Sequence, residues 1–136
     1  GRRALPSTMQ GELLADLAAE RGIDAVAIVD SAGFAILAPP MVDDAERLAA
    51  NVIALIGQAE KIEHFKSNAT VSEQQSKVTT STEFTLIAQG GNILAFPLPG
   101  GHYLALQSDH RASLGRIRGR GGEIAARISA LMESEN

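Results

Sequence analysis

The stretch "LLADLAAERGIDAVAIVDSAGFAILA", Leu13 to Ala38, changes its period twice, and those changes decide the fold. Leu13 and Leu17 follow Met9 at steps of four, the spacing of one face of a helix. Arg21 and Gly22 then supply a stop: a cation beside the last carbonyls, followed by a residue free to turn left-handed. With Ser7 and Gln10 at capping-box spacing, the helix is expected over 7–21. "DAVAIVD" (24–30) is a short apolar run that reads as a buried strand. Asp30-Ser31-Ala32-Gly33 has the residues of a turn, Asp at its first position and Gly where φ is positive. "FAILA" (34–38) returns as the second strand of a hairpin, and Pro39-Pro40 ends it.

Outward from this unit the pattern continues. Asp43 and Asp44 are suited to cap a helix running to about Lys61 or beyond. Leu48, Val52, Leu55, Ala59 and Ile62 form one apolar stripe on it, and Ala45, Ala49, Ile53 and Ile56 a second. A surface helix needs one such stripe, so a second body is expected to cover this one. Residues 63–82 are polar and without clear period, and are expected to be a loop or frayed helical extension leading into a strand. Three strands follow: 83–89, then Gly90-Gly91, 92–98, then Pro99-Gly100-Gly101, and 102–108. Paired glycines suit tight hairpins because both central positions accept positive φ. The order is α-β-β-α-β-β-β-α, an α+β fold with a five-stranded antiparallel sheet and helices on its faces.

"RIRGRGG" (116–122) has three readings in isolation: an arginine-glycine segment for nucleic acid, a phosphate-cradling loop, or helix interior. Its phase decides. Leu114, Ile117, Gly121, Ile124, Ile128 and Leu131 recur at steps of three and four straight through it. A single short copy in a chain of net charge −4 and pI about 5.3 does not fit nucleic-acid binding. Ile124 stands where the last glycine of a dinucleotide fingerprint belongs, and no Walker loop is present. The segment is therefore expected to lie inside the last helix with its arginines mostly wet. Gly115, Gly119, Gly121 and Gly122 are costly there, so close packing on the sheet or first helix is expected.

Little else in the chain carries chemistry. There are no cysteines, which excludes thiolate zinc sites, disulfides and cysteine nucleophiles. His64, His102 and His110 lack metal-ligand spacing. A Ser-His-Asp triad meets only in space and stays open, but no nucleophile elbow is present. Asn68-Ala69-Thr70 matches a glycosylation acceptor without a secretory signal beside it. At 136 residues the chain suits one domain with its own core, expected over 8–133, with 1–7 disordered or extraneous and 134–136 a tail. No apolar run reaches transmembrane length, so a cytoplasmic protein without membrane insertion is expected, and no cofactor.

Taken together, these segments resemble the roadblock / dynein-light-chain family, in the small prokaryotic branch that includes the gliding-motility (Mgl) regulators. The resemblance is carried by 13–38 with its Asp30-x-x-Gly33 hairpin, by "DDAERLAANVIAL" (43–55), by "NILAFPLPGGHYLAL" (92–106) and by "SLGRIR" (113–118). The long polar segment 63–82 departs from it. The resemblance implies strand order 2-1-5-4-3, with the first and last helices on one face and the middle helix on the other. It also implies a homodimer joined through third strands and middle helices, with Leu48, Val52, Ile53, Ile56, Ala59 and Phe84 at the interface. Such dimers are non-enzymatic platforms for small Ras-like GTPases, and Arg47, Asn51, Gln58 and Lys61 are the candidate contacts. The alternative expectation, from architecture alone, is a small-ligand sensor of profilin-like or PAS-like form. A hydrolase using a Ser and one of the three His residues is the remote third.

Overall fold

The computed structural model describes residues 5–39, 44–70 and 83–134. The elements are α1 (Leu5–Ala18), β1 (Ile23–Val29), β2 (Ala35–Leu37), α2 (Ala45–Thr70), β3 (Phe84–Ala88), β4 (Gly91–Leu98), β5 (His102–Ser108) and α3 (Leu114–Ser134). They form one antiparallel sheet in the order β2-β1-β5-β4-β3. This is the expected architecture and strand order.

The central strands alternate alanine with larger apolar residues, and the alternation gives the sheet two unlike faces. Val26, Ile28, Leu94, Phe96, Leu104 and Leu106 point to one side, where they pack with Leu14 and Leu17 of α1 and Ile117, Ile124 and Ile128 of α3. Ala25, Ala27, Ala95 and Ala105 point to the other, a low surface on which α2 sets Leu48, Ala49, Val52 and Ile56. A period of two along each strand produces this partition. The long side chains come from the sheet on one face and from the helix on the other.

The first hairpin closes as its residues imply. Asp30 Oδ1 accepts hydrogen bonds from the backbone N–H of Ala32 and of Phe34, both at 3.0 Å, and Gly33 takes φ 93°. The register slips between Ile28 and Val29, which turns Ile36 outward on the short edge strand. At the last hairpin a single 3-10 turn over Pro99–Gly101 holds Gly100 and Gly101 at φ 79° each. The β3–β4 hairpin differs from expectation. Its two central residues are Gln89 and Gly90, and the positive φ belongs to Gly91, already paired with Ala88 inside the ladder. There a Cβ would run into the Ser108 carbonyl.

Helix boundaries also depart from the sequence reading. Ser7 lies inside α1 rather than capping it, since α1 begins at Leu5, two residues ahead of the expected start. The helix stops at Ala18, and the turn to β1 is closed by Glu20 N–H donating to the Leu17 carbonyl and Ile23 N–H to that of Glu20. α2 runs on to Thr70, taking in the first part of the polar segment; residues 71–82 lie outside the described ones, as do Asp43 and 135–136. Ser113 caps α3, its Oγ accepting from Arg116 N–H at 3.4 Å.

The glycines of α3 separate into two kinds. At Gly121 a Cβ would lie 2.6 Å from Phe96 Cε1 and 3.3 Å from Leu106 Cδ2, so the helix rests directly on the large-residue face of the sheet. Gly115 and Gly119 face open space, and nothing in the structure explains them.

Three outcomes follow for stability. Gly121→Leu should cost roughly 1–3 kcal/mol by overpacking, whereas Gly119→Ala should gain about 0.8–1 kcal/mol from helix propensity; thermal melts read both, with opposite signs. Val52, on the sheet side of α2, is 0% exposed, so Val52→Glu buries a lone charge and should cost the fold itself roughly 3–5 kcal/mol.

Candidate interaction surface

α2 presents two surfaces with different jobs. Leu48 and Val52 (both 0% exposed) and Ile56 (6%) face the chain's own sheet and have no area left for a partner. This corrects their assignment to a dimer interface. Among the described residues, Leu48, Ala49, Val52 and Ile56 of the stripes that suggested a second body are spent on the chain's own sheet. Ile53 is partly buried at the margin, against Gly33 of the first hairpin. Ala59 lies in α2, but its side chain is outside the described residues.

On the opposite side of α2, Arg47, Asn51, Gln58 and Lys61 are all exposed. Their steps of four, seven and three keep them on one face, with exposed Ala50 and Ala54 among them. The structure thus brings together the four candidate polar contacts. Small side chains between long ones leave the helix backbone approachable at mid-length.

Beside this stripe none of the described residues covers the sheet. α2 packs on β1, β2 and β5, and β3 and the outer part of β4 extend past it. A groove of about 280 Å³ opens there, lined by Asn51 from the helix and by Leu86, Ala88, Ile93 and Gln107 from the sheet. Leu86 is 40% exposed in it. Phe84, the one predicted interface residue from β3, is half-buried, its ring tilted against that of Tyr103 at 6.3 Å and 47°. Ile87 points to the other face of β3 and is 64% exposed.

β3 is also one of the two edge strands of the sheet, unpaired on its outer side among the described residues, and its five residues, Phe-Thr-Leu-Ile-Ala, carry no charge. Natural edge strands are usually blunted by charge, proline or a bulge, because their open row of N–H and C=O groups templates pairing. Leu86 and Ile93 were not singled out from the sequence. The available signal was the failure of β3 to alternate: Phe84, Leu86 and Ile87 put apolar side chains on both faces of an edge strand.

Among the described residues, three ion pairs tie α3 to other segments of the chain. Glu20, at the α1–β1 corner, receives Arg116 at 3.0 Å and Arg120 at 3.2 Å, and Arg118 reaches Glu83 at 3.1 Å. The arginines of 116–122 are therefore ion-paired, not simply solvated. The hydrogen bond to Glu123, and behind it that to Glu20, raises the Arg120 pKa above its usual value against partial desolvation. The side-chain hydrogen bond from Arg111 holds the Asp109 carboxyl below the ordinary carboxylate range and raises Arg111 in turn. These contacts tie loops and helix ends. His102 Nδ1 lies 3.1 Å from the Pro99 carbonyl and His110 Nε2 2.6 Å from that of Gln89, each ring at a turn. Among the described residues no three His, Asp or Glu side chains cluster as metal ligands, and no helix is long and apolar enough to cross a membrane.

No family model and no curated protein matches the chain. Solved structures do. An MglB with tetrameric arrangement superposes with TM-score 0.74 at 16% identity, over 95% of this chain and 91% of that one. The gliding protein MglB of Thermus thermophilus gives 0.71 at 16% over 95% and 92%. A Roadblock/LC7 domain from Streptomyces avermitilis gives 0.66 at 10% over 90% and 97%. At such identities the likeness is one of fold, and it spans nearly the whole chain: this protein has the roadblock/LC7 fold in the form seen in bacterial MglB.

Proposed function

We propose that the chain acts as a homodimer whose α2 helices form a docking platform for a small Ras-like GTPase, without catalysing a reaction itself. The observation that supports this reading best is the joint exposure of β3. Its free, uncharged edge lies beside a sheet face left uncovered next to α2. A second copy pairing along β3 closes that edge and brings its own α2 toward the groove at Leu86 and Ile93. The two outward stripes of Arg47, Asn51, Gln58 and Lys61 then lie on one side of the joined sheet. A polar, cationic stripe interrupted by alanines suits a protein partner with an acidic, structured surface. The fold likeness and the resemblance drawn from 13–38, 43–55 and 92–118 favour a Ras-like GTPase as that partner.

The dimer is tested by sedimentation. The unmodified protein should run as a dimer at micromolar concentration. Leu86→Lys, which places a charge in the joined groove, should weaken association on the order of a hundredfold and leave the melting temperature of the monomer unchanged. A monomeric parent protein, or a Leu86→Lys variant still dimeric, overturns the arrangement.

The platform is tested by titration against the small GTPases of the source organism, each loaded with GDP or with a non-hydrolysable GTP analogue. Arg47→Glu combined with Lys61→Glu should lower affinity about tenfold with the dimer intact. Absence of binding by every GTPase at roughly 100 μM, where even weak complexes register, removes the platform reading.

A further inference from the structure

β3 is held differently from the other strands. α1 packs on β1, α2 on β1, β2 and β5, and α3 on β4 and β5. Among the described residues, the ladder to β4 is the one extensive contact that β3 makes. Phe84 is half-buried, and every residue from Thr85 to Ala88 is exposed. A strand with one ladder and little apolar cover opens easily. Yet both ends of β3 are tied, and both ties come from the same direction. Just ahead of the strand, Glu83 Oε2 accepts from Arg118 Nε at 3.1 Å. Just beyond it, the Gln89 carbonyl lies 2.6 Å from His110 Nε2. A carbonyl only accepts, so the ring donates there from Nε2–H. Arg118 belongs to α3, and His110 to the loop that leads into α3 from β5. The neighbouring arginines, Arg116 and Arg120, turn the other way, to Glu20.

We infer that β3 is a clasped edge strand: Arg118 and His110 set how firmly it lies on β4, and so whether its outer edge is presented as a regular row for pairing. The strand is roughly 17 Å long, and a clasp sits one residue outside each end. Fraying from either end must first release a side chain of the α3 segment. α3 is a fixed post for this purpose, since Gly121 rests on Phe96 and Leu106. The two clasps differ in what loosens them. The Arg118–Glu83 pair is exposed, 55% and 36% for its two side chains, so salt screens it, and an anion seated on Arg118 displaces Glu83. The His110 bond ends on a neutral backbone carbonyl and responds little to salt. At the Glu83 end, Phe84 keeps its contact with Tyr103, so opening the ionic clasp loosens that end without detaching it. A frayed strand has to be ordered again before a second strand can join it, and that ordering is subtracted from the affinity. The face of the sheet that carries α3 thereby acts on the pairing edge. As a control on dimer formation the inference rests on the β3 pairing proposed above; as a property of the single chain it does not.

Amide hydrogen exchange read residue by residue tests the clasps, in the parent chain and in the Leu86→Lys background. Arg118→Ala should speed exchange of the β3 amides bonded to β4 about two- to fivefold, most at the Phe84 end. His110→Ala should speed it about two- to tenfold, most at the Ala88 end. Amides of β1 and β5 should keep their rates, which a general loss of stability would not allow. Raising salt from roughly 50 mM to 1 M should speed β3 exchange in the parent chain and have little effect in Arg118→Ala. Arg118→Glu combined with Glu83→Arg should recover both the slow exchange and its salt response. β3 exchange unmoved by both alanine variants, equal acceleration across the whole sheet, or no recovery in the charge swap overturns the inference. Sedimentation separates it from the pairing itself: Arg118→Ala and His110→Ala should each weaken the dimer by a factor similar to that seen in exchange. Faster exchange with an unchanged dimer constant overturns the control of pairing by the clasps. A parent chain that never dimerises overturns the β3 pairing instead, and exchange in the single chain still decides the clasps.

Discussion

The alternation of alanine with large apolar side chains along β1, β4 and β5 is the constraint on which the rest of this structure depends. It gives one sheet two faces of different relief. On the large-residue face the sheet supplies the bulk, and the helices above must yield space; Gly121 does so over Phe96 by having no side chain at all. On the alanine face the sheet is low, and the helix supplies the bulk through Leu48, Val52 and Ile56. Exchanging the faces by a one-residue slip in register would drive large side chains into α2 and leave voids under α1 and α3. The pattern therefore specifies which helix goes where as well as strand register.

This explains how much of the molecule was legible in the sequence. The first hairpin was readable because Asp30 and Gly33 act locally, through backbone groups two to four residues away. The last helix was readable because its buried positions keep phase through the glycines. The middle helix was readable as a helix and misread as a surface. Periodicity reports that Leu48, Val52 and Ile56 are covered, but not whether the cover is the same chain or another. The Glu20 contacts with Arg116 and Arg120 bring together residues about a hundred positions apart, and no local pattern announces such pairs. The uncovered edge at β3 left a trace only as an absence of alternation.

The exposed surfaces differ from the core in how they are specified. α2 offers a polar stripe interleaved with alanine, and β3 an uncharged edge. Neither contains a cluster of groups suited to bond-breaking chemistry among the described residues, and each has the make-up of a contact surface: shallow, partly apolar, rimmed by polar groups.

The position of the two helical layers on opposite sides of one sheet has a topological consequence. Were β3 to pair with a second copy, as proposed, both helical layers would stay outward, one on each side of the joined sheet. A single two-fold axis closes on itself, so that pairing stops at two copies. The other edge strand, β2, is three residues long, too short a template to carry the pairing further.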